Sequence, residues 1–219
     1  DSEIIGIDIP VVAVMGIGQN VQKFDLQLYL RSRFIDKGYK VSQIGTKKIS
    51  GLFGLHPLPD FLFNTQYSDV DKVYAFNRVM KDVSMQEKPD VILLGIPDSL
   101  LPLNNKHRFS FGLYAYEIFN AVQPDFVITS LMANNGYNDE FYSEISKMAK
   151  YKYNVNIDAY FVSQFCPLSN SIWSEKLSYV YLPRMELPKT EYKVYTKSDL
   201  NNDILFKQAE KKLLLYGKY

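Results

Sequence analysis

The residues best placed to do chemistry are Gly16, Gly18 and Lys23, which sit in "GIGQNVQK" between an apolar run, "PVVAVMG" (10–16), and a long stretch of helical period. Strand, glycine turn, lysine and helix in that order curl backbone N–H groups around a phosphate. The glycines allow the turn, the helix N-terminus faces the anion, and the lysine reaches toward it. Residues Gly16, Gly18, Gln19, Asn20, Val21, Gln22, Lys23 and Phe24 are therefore the candidate nucleotide- or phosphate-binding loop. The standard pattern has glycine directly before the lysine, for tight turning, and Ser or Thr directly after it, to ligate magnesium. Gln22 and Phe24 stand at those places. A dinucleotide fingerprint fits worse: Val21 takes the third small-residue position, and the next strand ends Ile44-Gly45-Thr46 without an acid for ribose. A loop that binds phosphate, a vestigial loop and a chance strand–turn–helix stay open as readings.

Other candidates follow later apolar runs. "DVILLGIPDSLLP" (90–102) has Asp98 as its nearest carboxylate after the run. "LNNKHRFS" (103–110) gathers Asn104, Asn105, Lys106 and Arg108 just past a strand, the edge at which open α/β sheets bind ligands. Lys106 and Arg108 suit a phosphate or a peptide carboxylate, and a solvated loop is the competing reading. "MANNGYND" (132–139) offers Asn134 or Asn135 to a nucleobase, or is an ordinary turn. His56 reads as a packed or loop histidine ahead of a general base, and Cys166, with no His or Lys nearby, as a packing thiol.

These residues need a scaffold, and alternating β-branched runs and helical-period segments supply one. Strands are expected at 10–16, 39–46, 89–97, 124–132, 155–165 and 177–183, the last near a sheet edge. Helices are expected from Lys23 to Lys37, Ser68 to Gln86, 110–122, Asp139 to Lys150 with Asn138 as cap, and Ser198 to Tyr216. The stretch 49–63 is too interrupted by Gly and Pro for one regular element. The fold class is α/β, a three-layer arrangement with a mostly parallel sheet and helices on both faces.

The glycine-to-lysine spacing carries a resemblance. Gly16 lies seven residues before Lys23, as in the G-x-D-x-x-x-G-K-T loop of dethiobiotin synthetases, so the chain resembles that branch of P-loop NTPases, which also holds metal-insertion and signal-recognition NTPases. The resemblance implies an acid at the end of the strand in 90–102, where this chain has Leu94. Gln22, Phe24 and Leu94 thus replace three positions that hold a magnesium nucleotide or shape its loop. A second resemblance runs through the loop ending Gln22-Lys23-Phe24, then Gly38-Tyr39-Lys40-Val41-Ser42-Gln43-Ile44-Gly45, Gly54-Leu55-His56, Pro59-Asp60-Phe61 and Gly95-Ile96-Pro97 with Pro102 and Asn104-Asn105. Over about residues 9 to 132 the chain resembles the C-terminal domain of peptide maturation system proteins from ribosomal natural-product cassettes that also encode radical-SAM enzymes. That resemblance implies an accessory role in maturing a ribosomally made peptide, with the precursor peptide or a modifying enzyme as partner. ATP or GTP is the cofactor in one reading, and a pseudo-NTPase scaffold without nucleotide is the other. Hydrolase or ligase activity is the least supported expectation.

Bulk properties exclude other classes. A net charge of +1 over 219 residues, with 22% charged, argues against nucleic acid or anionic membrane as partner. No apolar run nears the roughly 20 residues of a membrane helix, and one cysteine and two histidines give neither a disulfide nor zinc spacing. A cytoplasmic protein without a metal site is expected, and homodimerisation stays open. One domain over 1–219 is expected, with 1–8 a leader from a missing upstream domain and 183–219 a peripheral segment whose 183–193 is the best flexible candidate.

Overall fold

In a computed structural model, which describes residues 3–46, 50–51 and 54–216, the β-branched runs pair as a seven-stranded sheet. The strands are β1 (Val11–Ile17), β2 (Val41–Gly45), β3 (His56–Pro57), β4 (Val91–Gly95), β5 (Phe126–Leu131) and β6 (Ala159–Val162). Then come β7 (Phe165–Pro167), β8 (Tyr179–Tyr181) and β9 (Val194–Tyr195). The order across the sheet is β3-β2-β4-β1-β5-β6-β9, every pair parallel. Uninterrupted apolar runs such as Val91–Leu94 and Val11–Met15 belong in such a sheet because both of its faces are covered.

The helices are α1 (Lys23–Asp36), α2 (Asp69–Glu87), α3 (Leu113–Ala121), α4 (Asp139–Tyr153), α5 (Lys197–Leu200) and α6 (Ile204–Tyr216). Strand pleating sends Val12 and Val14 of β1 toward Leu26, Leu30 and Phe34 of α1 and Leu205 and Phe206 of α6. Ala13 and Met15 go the other way, to the cluster holding Phe76 and Met80 of α2, Ile118 and Phe119 of α3, and Tyr153 of α4. The result is three layers, the expected α/β class with a mostly parallel sheet and helices on both faces.

Four expectations are corrected. The strand read over 155–165 is two: the chain turns after Val162, where Gln164 sends both its amide ends and its backbone N–H into side interactions. The strand at 177–183 is not on the main sheet; β8 pairs antiparallel with β7 in a separate two-stranded sheet. The closing helix is broken between α5 and α6, where Asp203 has φ 56° and its carboxylate takes Arg33 at 2.6 Å. The segment 183–219, expected at the periphery, contributes β9 to the sheet and buries Leu205, Phe206 and Ala209 in the core. The broken stretch 49–63 holds β3 and a 3-10 turn, Asp60–Phe63, while residues 49, 52 and 53, like 1, 2 and 217–219, lie outside the described residues.

Candidate functional site

β1 ends between β4 and β5, at the point where strand order reverses, which opens a crevice beyond the strand ends. The glycine loop fills that point. Its backbone alternates: φ is 110° at Gly18, 54° at Asn20 and 57° at Gln22, with Gln19 and Val21 outside the positive region. Left- and right-handed residues in alternation aim successive N–H groups into one concavity, an anion-binding nest. Gln22 takes the left-handed conformation that a glycine would take more freely, at a cost of roughly 1–2 kcal/mol. Its side chain holds it there, with Oε1 accepting from Gln164 N at 2.8 Å. Gly16 is required by crowding, since a Cβ would lie 2.7 Å from Val21 Cγ2 and 3.1 Å from the Ser130 carbonyl oxygen.

Helices α2 and α4 carry side-chain caps, Ser68 accepting from Asp71 N and Asn138 from Phe141 N. Helix α1 has none. Among the described residues no group accepts from the backbone N–H of Gln19, Asn20, Val21, Gln22 or Lys23. Five successive donors and an uncapped helix start therefore stand without partners beside the crevice, the arrangement that attracts an anion.

The segment after β4 folds back over this loop. Gly18 N donates to Ser99 Oγ at 2.7 Å, Leu100 N to the Gly16 carbonyl at 3.0 Å, and Gln19 Nε2 to Asp98 Oδ1 at 3.3 Å. Lys23 Nζ donates to the Asp98 carbonyl oxygen. Although the residue as a whole keeps some exposure, burial of its ammonium lowers the Lys23 pKa from 10.5 to about 8, with the Asp98 charge opposing. Asp98 thus reaches the loop, but its carboxylate is shared between Gln19 and the backbone N–H of Ser110, the latter at 2.7 Å.

The two positions at which the standard loop ligates magnesium hold no side-chain oxygen. Phe24, at the hydroxyl position, is only 8% exposed and packs toward Gly45; Leu94, at the acid position, is fully buried between Ala13 and Ile44 on the neighbouring strands. Neither supplies an oxygen ligand. Among the described residues no three acidic, histidine or cysteine side chains converge.

A cavity of about 350 Å³ opens beside the loop, lined by Asn20, Val21, Gln22, Lys23, Phe24 and the acidic Asp25 and closed by Thr46, Phe165 and Tyr179. Those last three were invisible to motif reasoning, because they come from the end of β2 and from the β7–β8 pair, far away in sequence. So were Ser99 and Ser130, the latter donating from Oγ to the Val21 carbonyl. Lys106 and Arg108 line an adjoining cleft with Gln19 and Asn20. Asn104 is committed to its own loop, accepting from Lys106 N and His107 N and donating to the Ile172 carbonyl, while the Asn105 carbonyl takes Arg108 Nε. Asn134 closes a turn onto Gly136 N at 2.7 Å, and neither it nor Asn135 lines the loop cavity or the adjoining cleft. His56 sits at the sheet edge, 2.5 Å from Glu87, away from the loop. Cys166 lies on β7, partly buried.

No protein-family model matches the chain, and no curated protein matches it. Among solved structures it is similar to a DUF1611 family protein from Anabaena variabilis, with a TM-score of 0.53 and 13% identity over 72% of this chain and 46% of that one. Weaker likenesses are to chloroplast FtsY from Physcomitrella patens (TM-score 0.42, 13% identity, 74% of this chain and 52% of that one) and, less completely, to a ligand-bound enzyme. The latter is cobyrinic acid a,c-diamide synthase from Mycobacterium smegmatis with bound ADP and magnesium (TM-score 0.44, 15% identity, 70% and 74%). The chain spans about half the length of the first two. At these identities the likeness is one of fold.

Proposed function

We propose that this protein binds a nucleotide or phosphate anion in the glycine loop and does not hydrolyse it. The observation that carries this reading is the alternation at Gly18, Asn20 and Gln22, which leaves five consecutive backbone N–H groups without acceptors among the described residues, beside Lys23. Phe24 and Leu94 remove the oxygen ligands that would place magnesium for phosphoryl transfer. ATP or GTP is the expected ligand, with the cavity toward Phe165 and Tyr179 taking whatever the phosphates carry. On the resemblance to peptide maturation system proteins, the setting is maturation of a ribosomally made peptide, with the precursor or a modifying enzyme as partner.

Thermal unfolding with ATP and with GTP, each with and without magnesium, tests the binding claim. A rise in Tm that is independent of magnesium and lost in Lys23→Ala is expected; no rise at millimolar nucleotide would refute it. A second reading, a scaffold that binds protein partners and no nucleotide, rests on Lys23 being engaged by the Asp98 carbonyl. It predicts that partner capture from the same pathway is unchanged in Lys23→Ala.

A further inference from the structure

The cleft next to the loop cavity, about 420 Å³, shares two lining residues with it, Asn20 and Tyr179, so that the two adjoin. Its far end is basic: Lys106, Arg108 and Lys176 line it against one acid, Glu175. These cations come from two segments that the fold brings together. Asn104 Nδ2 and Lys106 Nζ donate to the Ile172 and Trp173 carbonyls at 2.9 and 3.1 Å, tying the turn after β4 to the β7–β8 connection. Arg108 uses its Nε on the Asn105 carbonyl at 2.8 Å, which fixes the guanidinium plane and leaves its terminal nitrogens without an acceptor among the described residues. Fixed in this way, the guanidinium offers paired donors to the two oxygens of a carboxylate or phosphate. The Nε2 of His107, on the same wall, is buried and has no partner among the described residues.

We propose that Lys106, Arg108 and Lys176 form a second oxyanion subsite, so that the cavity takes a phosphate at the glycine loop and the adjoining cleft a separate carboxylate or phosphate group at its basic end. This rests on the anion-binding reading of the loop for its first half only.

Calorimetric titration with three probes, tetraglutamate, inorganic phosphate and ATP, tests the subsite. The proteins are the wild type, Lys23→Ala, the double variant Arg108→Glu/Lys176→Glu and the triple variant that combines them. Both reversed side chains are exposed, and circular dichroism checks that the fold is kept. Tetraglutamate is expected to bind the wild type and Lys23→Ala, and to bind the double variant about a hundred-fold more weakly, the loss of two charge-assisted contacts worth about ten-fold each. ATP binding to the double variant should persist. Phosphate that still binds Lys23→Ala, and is lost on adding the charge reversals to it, would make phosphate a ligand of the basic end as well. Equal tetraglutamate affinity in the wild type and the double variant, or no binding to either, would overturn the subsite. If ATP fails to bind the wild type while tetraglutamate binds as described, the loop reading falls and the subsite stands.

Discussion

Lys23 has an unusual position: a desolvated ammonium tied to a carbonyl and surrounded by unpartnered N–H groups. A depressed lysine pKa has two consequences. Because the folded chain gives up the proton near pH 8 and the unfolded chain near 10.5, the unfolded state holds more protons between these values. Stability should therefore rise with pH across that window, and Lys23→Met should flatten the rise in denaturant titrations. Anion affinity has the opposite slope, falling once pH passes about 8 as the ammonium is lost. Titrating ATP across that pH shows the decline; an affinity constant up to pH 10.5 would mean that Lys23 does not contact the anion. Gly16→Ala is expected to cost about 1–3 kcal/mol, since the methyl meets Val21 and the Ser130 carbonyl, and to weaken the nest with it. The glycine turn at the end of β1 and the lysine at the start of α1 were legible in the sequence because residue type and spacing place them. Gln22 was not: its type argues against a tight turn, and only the tertiary contact to Gln164 holds it in the left-handed region.

At the scale of elements, long strands and helices were legible because hydrophobic period and caps agree. Asn138 caps α4 as its position before Asp139 implied, and Ser68 caps α2. Short elements were misread wherever a tertiary contact outweighs local pattern, as in β7 and β8, whose pairing only with each other no periodicity of Tyr and Val encodes. Two element contacts make testable claims. Lys72 of α2 and Glu117 of α3 form a 3.1 Å ion pair with both side chains at most 10% exposed. Lys72→Met leaves a buried carboxylate alone and should destabilise by about 3–5 kcal/mol, read by urea unfolding. At the sheet edge, burial alone would raise the Glu87 carboxyl, but hydrogen bonds from Ser42 and His56 outweigh it and hold the pKa below its ordinary 4.5. A depressed carboxyl contributes stability above its unfolded pKa and loses it as pH falls through the folded one. Glu87→Gln should remove that acid dependence, worth under about 1 kcal/mol because the pair is 37–43% exposed.

For the whole molecule, a parallel sheet with β1 at its middle puts the glycine loop where strand order reverses; alternating strand and helix patterns imply the parallel sheet, and the strand order comes from the fold. The walls of the cavity and its adjoining cleft do not follow from those patterns. Thr46, Phe165, Tyr179 and Lys176 reach the loop from three separate segments, and no local rule brings them together. The C-terminal segment matters to the whole in a similar way: Phe206 of α6 stacks edge-on against Phe34 of α1 at 5.0 Å. Phe206→Ala should cost about 3–5 kcal/mol in unfolding free energy, against near zero for a dispensable appendage. The central claim is that the loop holds an anion without magnesium, and a crystal structure of the full chain soaked with ATP in the presence of EDTA tests it most directly. Phosphate density within hydrogen-bond reach of the Asn20–Lys23 amides, with Lys23 Nζ moved from the Asp98 carbonyl to a phosphate oxygen, is the predicted result. An empty loop with Lys23 still on that carbonyl, in crystals at saturating ATP, would contradict it.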